Sequence, residues 1–248
     1  MRDLAIETVG LTKRYGNETA VSEVALAVEP GTVYGFLGPN GAGKTTTMRM
    51  LTTLTRPTAG EARIAGRSVT DREAVIPHVG YLPEEPPVYD ELTGREQLEF
   101  AADLRDIPRE RARARIDGLL ERFDLVDDAD KRIDAYSKGM RQKVGVIQAV
   151  LHEPAVAFLD EPTSGLDPRA ARTMREIIAD LADREMTIFL STHILPVVDE
   201  LADTIGVLAD GRLVAEGPPD ALKRRVETGE EGTLEDVFLA ATAGRRGR

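Results

Sequence analysis

The 248-residue chain contains no cysteine, so it can form no disulfide, carries no thiolate nucleophile and offers no sulfur ligand to zinc. Histidine is scarce too. Only His78, His152 and His193 could serve as imidazole ligands, and a structural zinc site is not expected. No apolar run approaches the roughly 18 residues that a membrane helix needs, and Met1-Arg2-Asp3 opens without the apolar stretch of a signal peptide. The chain is therefore expected to stay in the cytoplasm. Basic residues are outnumbered by acidic ones, 32 to 43, for a net charge of -11, the wrong sign for a broad nucleic-acid or anionic-lipid surface. Any anion must bind locally, and no nucleic-acid partner is expected. The acid excess also suits a salt-rich cytoplasm.

What is present is globular. Hydrophobic residues make up 42% and charged residues 30%, which excludes disordered, collagen-like and low-complexity classes. The length suits one large domain or two small ones. Alternation and β-branched content predict strands near Leu4 to Val9, Val21 to Val28 and Val33 to Leu37, then a helix over Lys44 to Leu51. Short strands follow at Ala62 to Ile64 and Val79 to Leu82. From Gly94 to about Leu151 the pattern turns helical, with Ile116, Leu119, Leu120 and Phe123 on one face. Val156 to Leu159 is too short and apolar for a helix and reads as a buried parallel strand. A helix over 168–183 and a strand over Thr187 to Ser191 continue the β-α-β rhythm of an α/β fold. Asp210-Gly211, between Thr204 to Ala209 and Arg212 to Glu216, is the strongest hairpin signal. Short helices from Pro218 and Leu234 close the chain, and Gly244 to Arg248 reads as a frayed tail.

One segment carries chemistry by itself. Gly38-Pro39-Asn40-Gly41-Ala42-Gly43-Lys44-Thr45 fits G-x-x-x-x-G-K-[ST], directly after an apolar strand and before a helix. Glycines let backbone N–H groups turn around phosphate oxygens, and the helix N-terminus adds partial positive charge. Lys44 can neutralise β and γ phosphates, and the Thr45 hydroxyl, with Thr46 beside it, can reach magnesium. Downstream, Asp160 ends an apolar strand and Glu161 follows it. A strand ending in two acids is weak evidence alone, since such acids are often merely solvated. Beside a phosphate loop, Asp160 can hold magnesium through water, and Glu161 can polarise an attacking water.

Four further segments complete a pattern: Tyr15-Gly16, Tyr136-Ser137-Lys138-Gly139-Met140-Arg141-Gln142, Ser164-Gly165-Leu166-Asp167 and Ser191-Thr192-His193. In content and order the sequence resembles the ATPase subunits of ABC transporters, from about Leu4 to Glu216. The resemblance implies an ABC-type P-loop NTPase fold, α/β, with an antiparallel β subdomain and a helical subdomain inserted over about 88–152. It divides the chain into an ATP-binding domain at 1–217 and a C-terminal extension at 218–248. It implies MgATP as the ligand, bound by Tyr15 on adenine and by Gly38, Pro39, Asn40, Gly41, Ala42, Gly43, Lys44, Thr45 and Thr46 on phosphate. Ser137 and Gly139 look like the signature segment that contacts the γ phosphate held by an opposite subunit, with Asp167 at the subunit interface. Catalysis would rest on Glu161, His193 and Lys44. Each residue also has a plainer reading: Tyr15 as a half-buried strand-end tyrosine, Ser137 as a helix N-cap, His193 as a satisfied polar side chain.

The sequence departs from the family pattern twice. The common Leu-Ser-Gly-Gly-Gln appears as Tyr136-Ser137-Lys138-Gly139-Met140, and the usual glutamine after Gly80-Tyr81-Leu82-Pro83 is Glu84. A carboxylate can still ligate magnesium, so Glu84 joins Thr45 and Asp160 as a candidate ligand, or else is a solvated loop acid. Both departures, and the end segment Thr233-Leu234-Glu235-Asp236-Val237-Phe238, resemble the branch that serves separately encoded six-helix permeases exporting drugs, sodium, polysaccharides or haem-maturation components. The expected assembly is a head-to-tail homodimer, or a pairing with another ATPase subunit, on an integral-membrane permease at the inner face of the cell membrane. Two rival functions remain on the sequence: an ABC-type ATPase switch acting on a macromolecular partner without transport, and a module that closes on ATP without hydrolysing it.

Overall fold

The structure, a computed structural model, describes residues 4–184, 186–224 and 233–243; the Arg-rich end at 244–248 and Met1-Arg2-Asp3 lie outside them. The chain opens with β1 (Ile6–Tyr15) and β2 (Glu18–Val28), an antiparallel pair. Both run further than their sequence pattern suggests. Gly10, at a φ of 61°, absorbs a register shift between Thr8 and Leu11, so β1 continues past the glycine that reads as its end. After β3 (Val33–Leu37) come α1 (Lys44–Leu51), β4 (Ala59–Ile64), β5 (Arg67–Ser68), α2 (Arg72–Val75) and β6 (Val79–Leu82). The helices α3 (Gly94–Asp103), α4 (Arg109–Arg122) and α5 (Lys138–Val150) precede β7 (Val156–Asp160), α6 (Pro168–Ala182) and β8 (Thr187–Thr192). The described chain ends with α7 (Leu195–Leu201), β9 (Thr204–Ala209), β10 (Arg212–Gly217), α8 (Pro219–Lys223) and α9 (Leu234–Ala243).

Two sheets result. The first, in the order β2-β1-β4-β5, is antiparallel. The second runs β10-β9-β3-β8-β7-β6, parallel from β9 to β6 with β10 antiparallel at its edge. Every residue of β3, β7 and β8 is buried, which explains the apolar run at the centre of each. This order matters for function. The segments after β3, β8, β7 and β6 emerge side by side at the carboxyl edge of the sheet, where open α/β sheets hold their ligands.

The helical stretch packs around Leu98, Ile116, Leu120, Phe123, Val144 and Ile147, with Leu119 only partly buried at the margin of its stripe. Helix α3 begins with a reciprocal capping box between Thr93 and Glu96. Tyr136 belongs to this core. Its hydroxyl donates to the Asp128 carbonyl at 2.6 Å and packs so closely on Gly94 that no larger residue fits there.

At the end of α5, His152 bonds through Nε2 to the Val79 carbonyl at 3.0 Å, tying the helical stretch to β6. A carbonyl only accepts, so Nε2 carries the proton. Burial, then the nearby Arg105 guanidinium, lower the imidazole pKa to about 4, against a weaker opposing pull from the Val79 carbonyl. Below the free value of 6.5 the unfolded chain therefore binds a proton that the folded chain refuses. Stability linked to His152 is full above about pH 6.5 and is lost as pH falls toward 4. In denaturant titrations at pH 7.5, 6 and 5, His152→Gln is expected to lose less stability with acid than the native chain; parallel losses would show that His152 is not the titrating group.

Candidate functional site

The phosphate loop leaves β3 at Gly38, where a Cβ would lie 2.5 Å from the Leu208 carbonyl of β9. Gly41 and Gly43 adopt φ of 81° and 102°, backbone that L side chains rarely enter. The Ala42 amide donates to the Pro39 carbonyl at 3.2 Å, and the Ala42 carbonyl accepts from the Gly211 amide at 2.9 Å. Lys44 opens α1 and folds back, its ammonium donating to the Gly38 carbonyl at 2.7 Å and the Pro39 carbonyl at 3.3 Å. It is buried, so its charge is held at the mouth of the loop rather than in solvent.

The two acids sit in different surroundings. Asp160 is the last residue of β7 and only 1% exposed; its Oδ1 accepts a bond from the Ser191 hydroxyl of β8, and its Oδ2 has no hydrogen-bond partner. The Tyr81 hydroxyl is pushed up to about 12, first by burial and then by the charge of Asp160, against the pull of Arg49. Glu161 turns out of the strand at a φ of 50°, an uncommon position for a residue with a side chain, while its amide still donates to the Ser191 carbonyl at 3.0 Å. Its carboxylate gathers three partners: Thr192 Oγ1 at 3.2 Å, His193 Nδ1 at 3.0 Å and Lys44 Nζ at 3.4 Å. A carboxylate only accepts, so His193 Nδ1 is the donor in this bond and Nε2 is turned away from Glu161.

These groups line one cleft of about 900 Å³. Tyr15, Pro39, Asn40, Gly41, Gly43, Lys44, Thr45, Thr46, Glu84, Glu161 and His193 face it. Gly38 and Ala42 form the back of the loop, and Asp160 lies buried beneath. Tyr15 stands half exposed at the end of β1 with the Lys13 ammonium 5.0 Å from its ring centre. Ser137, Gly139 and Asp167 do not line the cleft. Ser137 caps α5 by accepting from the Met140 amide at 3.2 Å, and Asp167 caps α6 through the Arg169 and Ala170 amides at 3.0 and 3.1 Å. The two helix starts are neighbours: a Cβ on Gly139 would lie 3.1 Å from that of Ala170.

Sequence reasoning missed part of the wall. Glu18, Thr19 and Ala20 of β2, Ser164, and the hairpin tip Asp210-Gly211 also face the cleft. The hairpin was signalled by its Asp-Gly pair, and both residues do take positive φ, at 48° and 74°. Nothing in the sequence tells that the tip lies against the phosphate loop.

Could the residues hold a divalent cation? Among the described residues no three His, Asp or Glu side chains converge as a ready-made cage. The donors present are the Thr45 hydroxyl and Glu84 facing the cleft and the unpartnered Asp160 Oδ2 below it. This set suits magnesium, which keeps several waters and shares phosphate oxygens with few protein ligands.

Comparison with known proteins decides the family. The family model described as ABC transporter matches residues 21–164, from β2 through the phosphate loop and the signature segment to Ser164. The chain belongs to the ABC transporter family. Its fold is that of an ABC ATPase subunit, and its activity is ATP binding and hydrolysis in the service of transport. This ABC subunit is 45% identical over 240 residues to the daunorubicin resistance ATP-binding protein DrrA3 of Streptomyces coeruleorubidus, covering 96% of this chain and 75% of that protein. It is 41% identical over 222 residues to the bacitracin transport ATP-binding protein BcrA of Bacillus licheniformis, covering 89% and 72%. A solved ATP-binding subunit of an ABC transporter superposes with a TM-score of 0.85 at 32% identity, covering 96% of this chain and 99% of that one. The CbiO1 protein of Clostridium perfringens, at 23% identity and a TM-score of 0.80, shares the fold. Among the described residues no helix is long and apolar enough to cross a membrane.

Proposed function

We propose that this ABC subunit powers export through a separately encoded permease, hydrolysing MgATP in a head-to-tail dimer at the inner face of the cell membrane. The observation that carries the proposal is the sharing of Glu161 between Lys44 and His193 within the cleft. In the proposed reaction Lys44 exchanges its contact with Glu161 for β and γ phosphate oxygens, helped by loop amides and the start of α1. Glu161, freed from Lys44 but still held by Thr192, orients the attacking water and takes its proton. His193, with Nδ1 bound to Glu161, keeps its other face for the γ phosphate and that water. Bound magnesium, held by Thr45, Asp160 and Glu84, would spread the charge that develops on the phosphates. Tyr15 offers its exposed ring to adenine.

Ser137, Gly139 and Asp167 lie outside the cleft, on the paired starts of α5 and α6, which is what a site completed by a second subunit needs. We further propose that residues 1–217 form the ATP-binding unit, with about 88–152 as its helical insertion and 218–248 as an extension. The daunorubicin-resistance and bacitracin-transport names of its relatives favour export of a drug.

The permease would dock where the helical insertion leaves apolar side chains in solvent. Leu104 is 70% exposed, and Tyr89 and Phe100 meet edge to face at 5.6 Å while both remain exposed. Tagged protein drawn from native membranes in mild detergent should bring a polytopic partner with it. Leu104→Glu, which disturbs no core contact, is expected to cut recovery by about tenfold, the effect of losing one interface anchor. Recovery with ribosomes or DNA instead would favour the ATPase-switch reading and overturn the transport one.

A further inference from the structure

Ser191 is fully buried at the end of β8, directly paired with Asp160 in parallel register. Paired residues of neighbouring strands present their side chains to the same face of a sheet. A buried hydroxyl must find a partner, and that of Ser191 donates to Asp160 Oδ1. The same residue's carbonyl accepts from the Glu161 amide at 3.0 Å, so Ser191 touches both acids, one through its side chain and one through its backbone. Asp160 Oδ2 is left buried and without a hydrogen-bond partner. A buried carboxylate oxygen in that position is costly unless something positive or donating completes it.

From this we infer that Ser191 is a positioning residue for the cation site: by occupying Oδ1 it fixes the Asp160 carboxylate so that Oδ2 is the oxygen presented to a divalent cation or its bound water. Without the hydroxyl the carboxylate is free to rotate and share its charge between two orientations. Partners of this kind, one step removed from a metal, typically change affinity by about 10- to 100-fold when lost. The inference rests on the reading of Asp160 as a cation-holding residue.

The test uses Mn²⁺ as the probe, with free Mn²⁺ followed by its paramagnetic resonance signal in the presence of a non-hydrolysable ATP analogue. Ser191→Ala is expected to weaken Mn²⁺ binding by about tenfold while the affinity for the analogue without metal stays within twofold. In steady-state assays the Mg²⁺ concentration for half-maximal rate should rise more than the saturating rate falls. Ser191→Thr, which keeps the donor, should restore Mn²⁺ affinity. If the alanine variant does not fold, the nearly isosteric Ser191→Cys, a much weaker donor, should show the same loss. Asp160→Asn separates the two claims. If it leaves Mn²⁺ affinity unchanged, the cation reading of Asp160 fails. If it weakens binding while Ser191→Ala lowers only thermal stability, Ser191 serves merely to satisfy its own hydroxyl, and the inference is overturned.

Discussion

Glu161→Gln is expected to slow ATP hydrolysis by about 10² to 10⁴-fold, the usual worth of a positioned general base, while ATP still binds within about threefold of the native affinity. The argument lies in what the change spares. Glutamine is nearly isosteric, its amide oxygen can still accept from Thr192 at 3.2 Å, and it can hold the same turn at a φ of 50°. The contacts proposed for phosphate come from the loop amides, which the substitution does not touch, and from Lys44, which loses only the ion pair with Glu161 that it gives up for phosphate in the proposed reaction. What is lost is an oxygen basic enough to take a proton from water, and the acceptor that sets the His193 tautomer. Because ATP would then bind without turning over, the head-to-tail dimer should accumulate on gel filtration with MgATP present and vanish without it. Hydrolysis within tenfold of the native rate would remove Glu161 from the chemistry. A monomer under all conditions would leave the chemistry intact and remove the dimer.

The second large effect is expected at Gly43, the residue before Lys44. Alanine there must hold a φ of 102° and place its Cβ 2.5 Å from the Ala20 carbonyl on β2. Since neither the β2 backbone nor α1 can yield cheaply, the loop must move, taking its inward amides and Lys44 with it. ATP affinity is expected to fall by at least about 100-fold, a cost of roughly 3 kcal/mol, with a lower melting temperature. Gly41→Ala is the internal control. Its φ is also positive, at 81°, but a Cβ there meets nothing within 4 Å, so it pays only a conformational cost of about 1–2 kcal/mol. Titration with a fluorescent ATP analogue should therefore rank the variants native, then Gly41→Ala, then Gly43→Ala. The reverse order would show that steric fit at Ala20 is not what demands glycine.

Much of this architecture was legible because local chemistry and tertiary position agree. Strands β3 and β6 and helix α1 begin and end where their apolar runs and the loop glycines say they should, since in each case a buried segment is bounded by a turn that its own residues impose. The stripe on α4 is likewise its buried face, apart from Leu119 at the margin. Elsewhere distant contacts overrode local signals. Gly10 reads as a stop, yet pairing with both β2 and β4 carries β1 through it by a bulge. Tyr136 reads as part of a ligand-contacting segment, yet it is a packing residue whose ring leaves room only for glycine at Gly94, 42 positions earlier in the chain. The walls given by Glu18, Thr19 and Ala20 have no signature of their own. They face the cleft only because the first sheet is set against the second, an arrangement that no periodicity encodes.

The tip of the β9–β10 hairpin has a mechanical consequence. The Gly211 amide holds the Ala42 carbonyl of the phosphate loop at 2.9 Å, and the Gly211 carbonyl holds the Ser22 amide of β2 at 2.7 Å. One peptide-length of chain thus rivets three pieces together: the edge of the large sheet, the loop and the small sheet. A Cβ on Gly211 would come within 2.7 Å of the Ala20 carbonyl, so the joint has no slack. With both hydrogen bonds made by one glycine, the two sheets have no freedom to slide past each other at this joint, and a closure around bound nucleotide would carry them together.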